Sequence, residues 1–397
     1  MAPLPREGDR GEGARETAAL PGRVGDAALP GRVGNAARAA QMRDAWERRG
    51  RVRWVVDAGG WVPSEDGWAS ALAAVSEAER AVVGRFRREP DRRRALVARL
   101  LVRALCAELL GSPDAASADV RRTPEGKPYL AGASRALAAT AFGTKTFNFN
   151  LSHHGDLVCL AAEPTALVGV DVMSHTGPAA EAETGAAGGD TPAEADADAC
   201  VALRKGDGGS TPRVDPAGDE FFSPFQSCYT ANEWALVFAF GERARQMDEF
   251  YRLWTLKESL VKAIGLGLGF ELQRAEFSYV PGREGVEARV AIDGVPHSGW
   301  RFFIHETLAG SGERHWICVA HGPLAEACPS FLASALPEGV TENGSSSQAS
   351  PAESEEPPFR SRAVSELVAS CAPRQPDHCL GGEEAKSERG RGIAANE

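Results

Sequence analysis

The chain contains no apolar run near 18 residues and no secretory hydrophobic core, so neither a membrane-spanning helix nor export is signalled. Its eight cysteines form no CxxC pair, which removes a zinc ribbon or knuckle and a tight disulfide framework. Cys159 and Cys318 fall in apolar strand-like runs, and Cys371 and Cys379 in a loose tail. No HExxH helix, Walker lysine loop or GxSxG elbow is present, which excludes zincin proteolysis, P-loop nucleotide hydrolysis and the α/β-hydrolase nucleophile. A reduced, soluble, cytoplasmic protein is expected.

Large apolar side chains are also missing from three long stretches. Residues 1–48 are rich in Gly, Ala and Arg and repeat LPGRVG; 174–220 and 326–397 are dominated by small and acidic residues. All three are expected to lack a core of their own: a disordered N-terminal segment, a disordered acidic insertion and a low-complexity tail, with local order hinted only at 226–229 and 364–369. Net charge follows the same division. The whole chain carries −11, but 174–220 holds −7 and 321–397 holds −6, leaving a slightly basic remainder. The acidity of the full sequence therefore says little about what the folded part binds.

What is present is a mixed pattern of helices and strands. "VRWVVDAG" reads as a strand, Ser76 with Glu79 as a capping box, and the run after Pro90 as an amphipathic helix with Leu96, Leu100, Ala104 and Leu105 inward. "FNFNLSHHGDLVCLAAE" alternates and turns at Gly155-Asp156, and "ALVGVDVM" is one more strand. Past the insertion, Thr230 and Glu233 form a second capping box, a helix covers "FYRLWTLKESLVKAIG", and four strands follow. The expected fold is α+β: two similar subdomains, 49–173 and 221–325, each of helices on an antiparallel sheet, forming a pseudo-dimer with a site between them.

Several polar residues exceed what folding needs. On the helix after residue 249, Phe250, Leu253, Leu256, Leu260, Ala263 and Ile264 share one arc, while Trp254, Glu258 and Lys262 form an adjacent stripe. Glu258 and Lys262 read either as a surface i,i+4 pair or as the edge of a site. Lys257 falls inside the apolar arc, where a charge needs a partner or a task. Arg99 pairs with Arg103 at i,i+4, and the turn Arg122-Thr123-Pro124-Glu125-Gly126-Lys127 offers cations around a glycine, which suits phosphate. Ser152 and His153 end a strand as possible donors; His153 and His154 point to opposite sides and do not chelate together. Asp171 is a lone carboxylate in an apolar strand, for which a cation is the economical partner. Two carboxylates, several cations and no covalent nucleophile describe metal-assisted transfer at a polyphosphate.

"VGVD" followed some ninety residues later by "WTLKESLVK", with "GKP" and "NLSH" upstream, resembles the paired signature of the 4′-phosphopantetheinyl transferases. The likeness covers roughly residues 53 to 320. It implies transfer of 4′-phosphopantetheine from coenzyme A to a serine of acyl or peptidyl carrier domains, of the fatty acid synthase and aminoadipate-semialdehyde dehydrogenase types, with Mg²⁺ and release of adenosine 3′,5′-bisphosphate. By the resemblance, Arg99, Arg122 to Lys127, and Asn150, Leu151, Ser152 and His153 hold coenzyme A. Asp171 and Glu258 bind Mg²⁺, Glu258 is the candidate base, and Lys262 neutralises pyrophosphate charge. Met173 stands where one branch of the family carries a further acid. A monomer is expected, with no nucleic-acid or membrane partner; a non-catalytic coenzyme A or carrier-binding relative is the alternative.

Overall fold

The computed structural model describes residues 44–111, 115–144, 147–174, 219–283, 285–335 and 355–372. Most of the expected N-terminal segment, acidic insertion and tail lies outside the described residues.

The chain opens with β1 (Val52–Asp57), α1 (Glu65–Ala73), α2 (Glu77–Val83) and α3 (Glu89–Glu108). The Ser76 box forms as read: Ser76 Oγ accepts from Glu79 N (3.3 Å) and Glu79 returns a carboxylate to Ser76 N (2.9 Å). Pro90 sits in the first turn of α3, where its missing N–H leaves no intrahelical bond unmade. Next come the short hairpin β2 (Val120–Arg122) and β3 (Pro128–Leu130), then α4 (Gly132–Phe142), an Ala-rich helix whose weak periodicity gave no sequence signal. The strands β4 (Asn148–His154), β5 (Leu157–Glu163) and β6 (Leu167–Ser174) follow. After the undescribed stretch come α5 (Ala231–Phe238), α6 (Arg243–Ile264), β7 (Ala275–Tyr279), β8 (Glu287–Ile292), β9 (Val295–Pro296), β10 (Arg301–Leu308), β11 (Arg314–Gly322), α7 (Pro329–Ala335), β12 (Arg360–Ser361) and α8 (Val364–Cys371).

Two sheets organise the α+β body. One runs β12-β1-β5-β4 and the other β6-β11-β10-β8-β7, with β9 on β8. The first packs on α3, burying Leu96, Leu100, Ala104 and Leu105 with Trp54 and Phe149. The second packs on α6, whose arc Phe250, Leu253, Leu256, Leu260, Ala263 and Ile264 is buried as read.

Two placements differ from the sequence reading. β6, expected to close the first subdomain, joins the second sheet through β11, from Leu167 opposite Gly322 to Ser174 opposite His315. Both edges of β5 are already taken by β1 and β4, so β6 has no free backbone beside its predecessor. The second difference is the expected tail from 326: α7 buries Phe331 in the second core, and residues 355–372 add β12 parallel to β1 and pack α8 against the first core. Glu356 anchors this segment between the sheets: its carboxylate lies 2.5 Å from Arg53 Nε and 3.3 Å from His321 Nε2. Val364, Leu367 and Cys371 give α8 a narrow apolar stripe that the acidic composition around it obscures.

Among the described residues no helix is long and apolar enough to cross a membrane. Among the described residues, five cysteines are buried free thiols, whereas Cys228 is disulfide-bonded, a departure from the fully reduced chain expected.

Candidate active site

Gly169 sets how deeply α6 settles on β6. It shares a strand face with Leu167, Asp171 and Met173, and a Cβ there would stand 2.0 Å from Ser259 O and 2.5 Å from Ala263 N. Only a residue without a side chain permits that approach. Ser259 and Ala263 are the immediate neighbours of Glu258 and Lys262, so the same contact brings Lys262 to Asp171 and places Glu258 one helical turn away.

Asp171 is buried, and its two oxygens differ. Oδ1 accepts from Ser152 Oγ (2.8 Å) and from Lys262 Nζ (2.5 Å), while Lys262 Nζ also donates to Ser152 Oγ (3.0 Å). Oδ2 is buried with no hydrogen-bond partner. A buried carboxylate oxygen left in that state costs free energy unless a ligand completes it.

Beside this triad opens a cleft of about 340 Å³. Its walls are the 122–128 turn, Asn150 and Leu151 of β4, the α6 stripe Trp254, Glu258, Val261 and Lys262, and the loop that carries Gly265, Gly267, Leu268, Phe270 and Leu272. The turn is tight: Gly126 N donates to Thr123 O (2.9 Å), Thr123 N to Lys127 O (2.9 Å), and Lys127 N to Thr123 Oγ1 (3.2 Å). Gly126 has φ +98°, a left-handed conformation that favours glycine, with open space where a Cβ would be. Arg122 donates to Gly126 O (2.7 Å), Pro124 is exposed at the corner, and Glu125 receives the Ser330 hydroxyl.

The sequence-chosen residues therefore separate. Arg122, Glu125, Gly126, Lys127, Asn150, Leu151, Glu258 and Lys262 line the cleft; Asp171 and Ser152 lie directly behind Lys262. Arg99, Thr123, Pro124 and His153 are not among the lining residues. Arg99 donates to Ala95 O of its own helix (2.6 Å), and its guanidinium is lowered by burial and, with Glu79 opposing, by nearby Arg122. His153 keeps part of its surface in solvent, yet loss of water around the ring, then Arg94 and Lys262, hold its imidazole below the usual range. Cationic surroundings of that kind favour an anion.

Three side chains are used differently from expectation. The Lys127 ammonium, expected to present charge to phosphate, donates to Val168 O (3.2 Å) and Lys262 O (2.8 Å), tying the turn to β6 and the end of α6. Burial lowers it to about 7. Asn150 Oδ1 accepts from Val170 N (2.9 Å), and Ser152 serves Asp171, so neither polar group is directed by these bonds to a ligand. Both results follow from strand pairing that a linear motif does not display. Lys257 finds its partner in Glu233 at 2.8 Å, both fully buried, and donates to Leu272 O (2.9 Å) and Ala275 O (2.5 Å). Burial pushes Lys257 down and Glu233 up, and their attraction opposes both shifts. Sequence reasoning missed the 265–272 wall, where "GLGLG" read only as a helix stop; the exposed Leu268 is the signal it overlooked.

A family model described as 4′-phosphopantetheinyl transferase, N-terminal, matches residues 59–165, and one described as 4′-phosphopantetheinyl transferase superfamily matches residues 211–320. The L-aminoadipate-semialdehyde dehydrogenase-phosphopantetheinyl transferase of Homo sapiens is 34% identical over 274 residues, covering 68% of this chain and 74% of the relative. The chain belongs to the 4′-phosphopantetheinyl transferase family. It is a transferase that moves phosphopantetheine to carrier proteins. The transferase is also 31% identical over 283 residues to a phosphopantetheinyl transferase of Thraustochytrium sp., covering 70% and 81% of the two chains. At 27% over 256 residues it resembles the 4′-phosphopantetheinyl transferase pptA of Paxillus involutus, covering 62% and 78%. Both matched regions reach the site: the first contains the 122–127 turn and β4, the second α6.

Proposed function

We propose that the cleft between the 122–128 turn and α6 binds coenzyme A and that Asp171 and Glu258 hold Mg²⁺ beside its pyrophosphate. The observation that carries this is the buried, unpartnered Oδ2 of Asp171 behind a cleft lined by Glu258 and Lys262. Among the described residues no group of three or more His, Cys, Asp or Glu is placed to hold a metal. Two carboxylates completed by substrate oxygens and water is the arrangement expected of Mg²⁺. When bound, the cation supplies positive charge to the pyrophosphate.

The protein's own groups then divide the work. Arg122 and the backbone of the turn receive the nucleotide end of coenzyme A, with Arg99 and His153 adding positive or donor character at the periphery. Lys262 stabilises charge that develops on the leaving phosphate. Glu258 accepts the proton from the carrier serine, whose oxygen forms the new phosphoester bond as the pyrophosphate link to adenosine 3′,5′-bisphosphate breaks. The two sheets are read as pseudo-symmetric halves with the site at their seam. Because both halves belong to one chain, a monomer suffices, and a cytoplasmic setting is proposed with it. The carriers proposed are acyl carrier domains of the aminoadipate-semialdehyde dehydrogenase and fatty acid synthase types.

The test is intact-mass spectrometry of an apo carrier domain incubated with the transferase, coenzyme A and Mg²⁺. Wild type should add one phosphopantetheine per carrier, whereas Asp171→Ala and Glu258→Gln should add none while retaining the native circular dichroism. Transfer at near wild-type rate by either variant refutes the metal assignment.

A further inference from the structure

The strand sequence Asn150-Leu151-Ser152-His153-His154 does something that the reaction chemistry does not account for. β4 and β6 are edge strands of different sheets and exchange no backbone pairs. The outer amides of β6 would therefore be unpaired along the seam, at the point where Asp171 must be held. Side chains from β4 fill the gap in register. Asn150 Oδ1 accepts from Val170 N (2.9 Å), Ser152 Oγ from Val172 N (3.3 Å), and His154 Nδ1 from Ser174 N (2.9 Å).

Alternation along β4 places 150, 152 and 154 on one side. The three bonds keep a constant offset of 20 residues. Asn148, which precedes the series at the same spacing, is buried with both side-chain amide atoms unpartnered, so the ladder begins at 150. Asp171 lies between the amides at 170 and 172, and Ser152 both receives Val172 N and donates to Asp171. Ladder and carboxylate are thus mechanically one unit.

We infer that this side-chain ladder fixes Asp171 in the seam and that His154 is a positioning residue of the transferase, closing the ladder at Ser174. The inference rests on the reading of Asp171 as a metal ligand. To accept an N–H, Nδ1 must carry no proton, so the imidazole is neutral with its proton on Nε2. Burial is the largest influence keeping its proton affinity low, His315 of β11 and Arg94 of α3 act in the same direction, and the carboxylates of Asp171 on β6 and Glu313 just before β11 oppose them. Glu313 in turn receives the Ser174 hydroxyl, so this end of β6 is held on two sides. Gly155 of the following turn has φ +51°, which favours glycine, and a Cβ there would also stand 2.5 Å from Glu313 Oε2 and 2.8 Å from His315 Nε2.

Two substitutions separate the acceptor from bulk packing. His154→Leu removes the acceptor; His154→Asn restores one, because the Asn oxygen branches from Cγ as Nδ1 does. Hydrogen exchange of peptides spanning 167–174 should accelerate about tenfold in His154→Leu, the effect of one lost backbone acceptor. The Mg²⁺ concentration for half-maximal transfer should rise by about the same factor, with KM for the carrier unchanged. His154→Asn should return both readouts toward wild type. Unchanged exchange in His154→Leu overturns the ladder, and unchanged Mg²⁺ dependence despite faster exchange overturns the positioning role. His154→Asn as impaired as His154→Leu shows that the acceptor is not what matters and also overturns it. Transfer that survives Asp171→Ala overturns the metal reading on which the role rests, a failure distinct from unchanged exchange, which needs no metal to observe.

Discussion

Gly169→Ala tests whether the depth of α6 on β6 creates the active site. Gly169 is not among the residues with positive φ, so alanine fits its backbone and the perturbation is steric alone. The added Cβ would lie 2.0 Å from Ser259 O, 2.5 Å from Ala263 N and 2.9 Å from Ala263 Cβ. These are mainly backbone atoms of a buried helix, which cannot rotate away. Reaching ordinary contact with Ser259 O requires the helix to lift by roughly 1 Å or more. Overpacking of this kind costs about 1–3 kcal/mol in stability. The larger effect falls on function, because the lift carries Lys262 away from Asp171, to which it now donates at 2.5 Å. A misplacement of about 1 Å can cost about 100-fold in rate. Initial rates of carrier modification by mass spectrometry, with urea unfolding on the same preparations, should therefore give a rate loss near two orders of magnitude in a protein that remains folded. A Gly169→Ala enzyme with wild-type stability and rate would refute the argument.

Glu233→Gln should destabilise the fold by about 3–5 kcal/mol, since it leaves the fully buried Lys257 without its carboxylate. Adding Lys257→Met should recover part of the loss in a urea double-mutant cycle; additive costs would show that the two residues do not act as a pair. Lys127 gives a pH signature. Its folded value of about 7 lies below the ordinary 10.5, so the unfolded chain binds the additional proton and stability rises with pH across that window. The contribution approaches about 1.4 kcal/mol per pH unit and is absent below pH 7, where both states are protonated and the folded state carries the full cost of the buried charge. Lys127→Met should flatten the stability curve between pH 7 and 10 relative to wild type, and an unchanged slope would mean that the ammonium is not buried in solution.

Legibility in the sequence depended on how local each determinant was. Helix periodicity identified the buried arc of α6 and the Trp254, Glu258, Lys262 stripe, because side-chain direction on a helix follows from residue spacing alone. Both capping boxes were likewise readable over four residues. The sheet partner of β6 was not, since a strand's pattern states which face is buried and not which neighbour supplies the hydrogen bonds. Residues 355–372 were obscured for a related reason: their partners, Val55, Glu108 and Arg53, are 254 residues or more away in the chain.

The sequence by itself determined the chemical inventory: Asp171, Glu258 and Lys262, a turn built on Gly126, and the family motif that contains them. It also showed that Lys257 needed a partner, because a charge in an apolar arc is costly whatever the fold. Tertiary structure decided which groups these side chains bond. Lys127, Asn150 and Ser152 have the chemistry to meet a phosphate, yet their side chains bond β6 and Asp171 instead. That choice depends on which strand edges are left unpaired when two sheets meet, a property of the assembled topology and of no single segment.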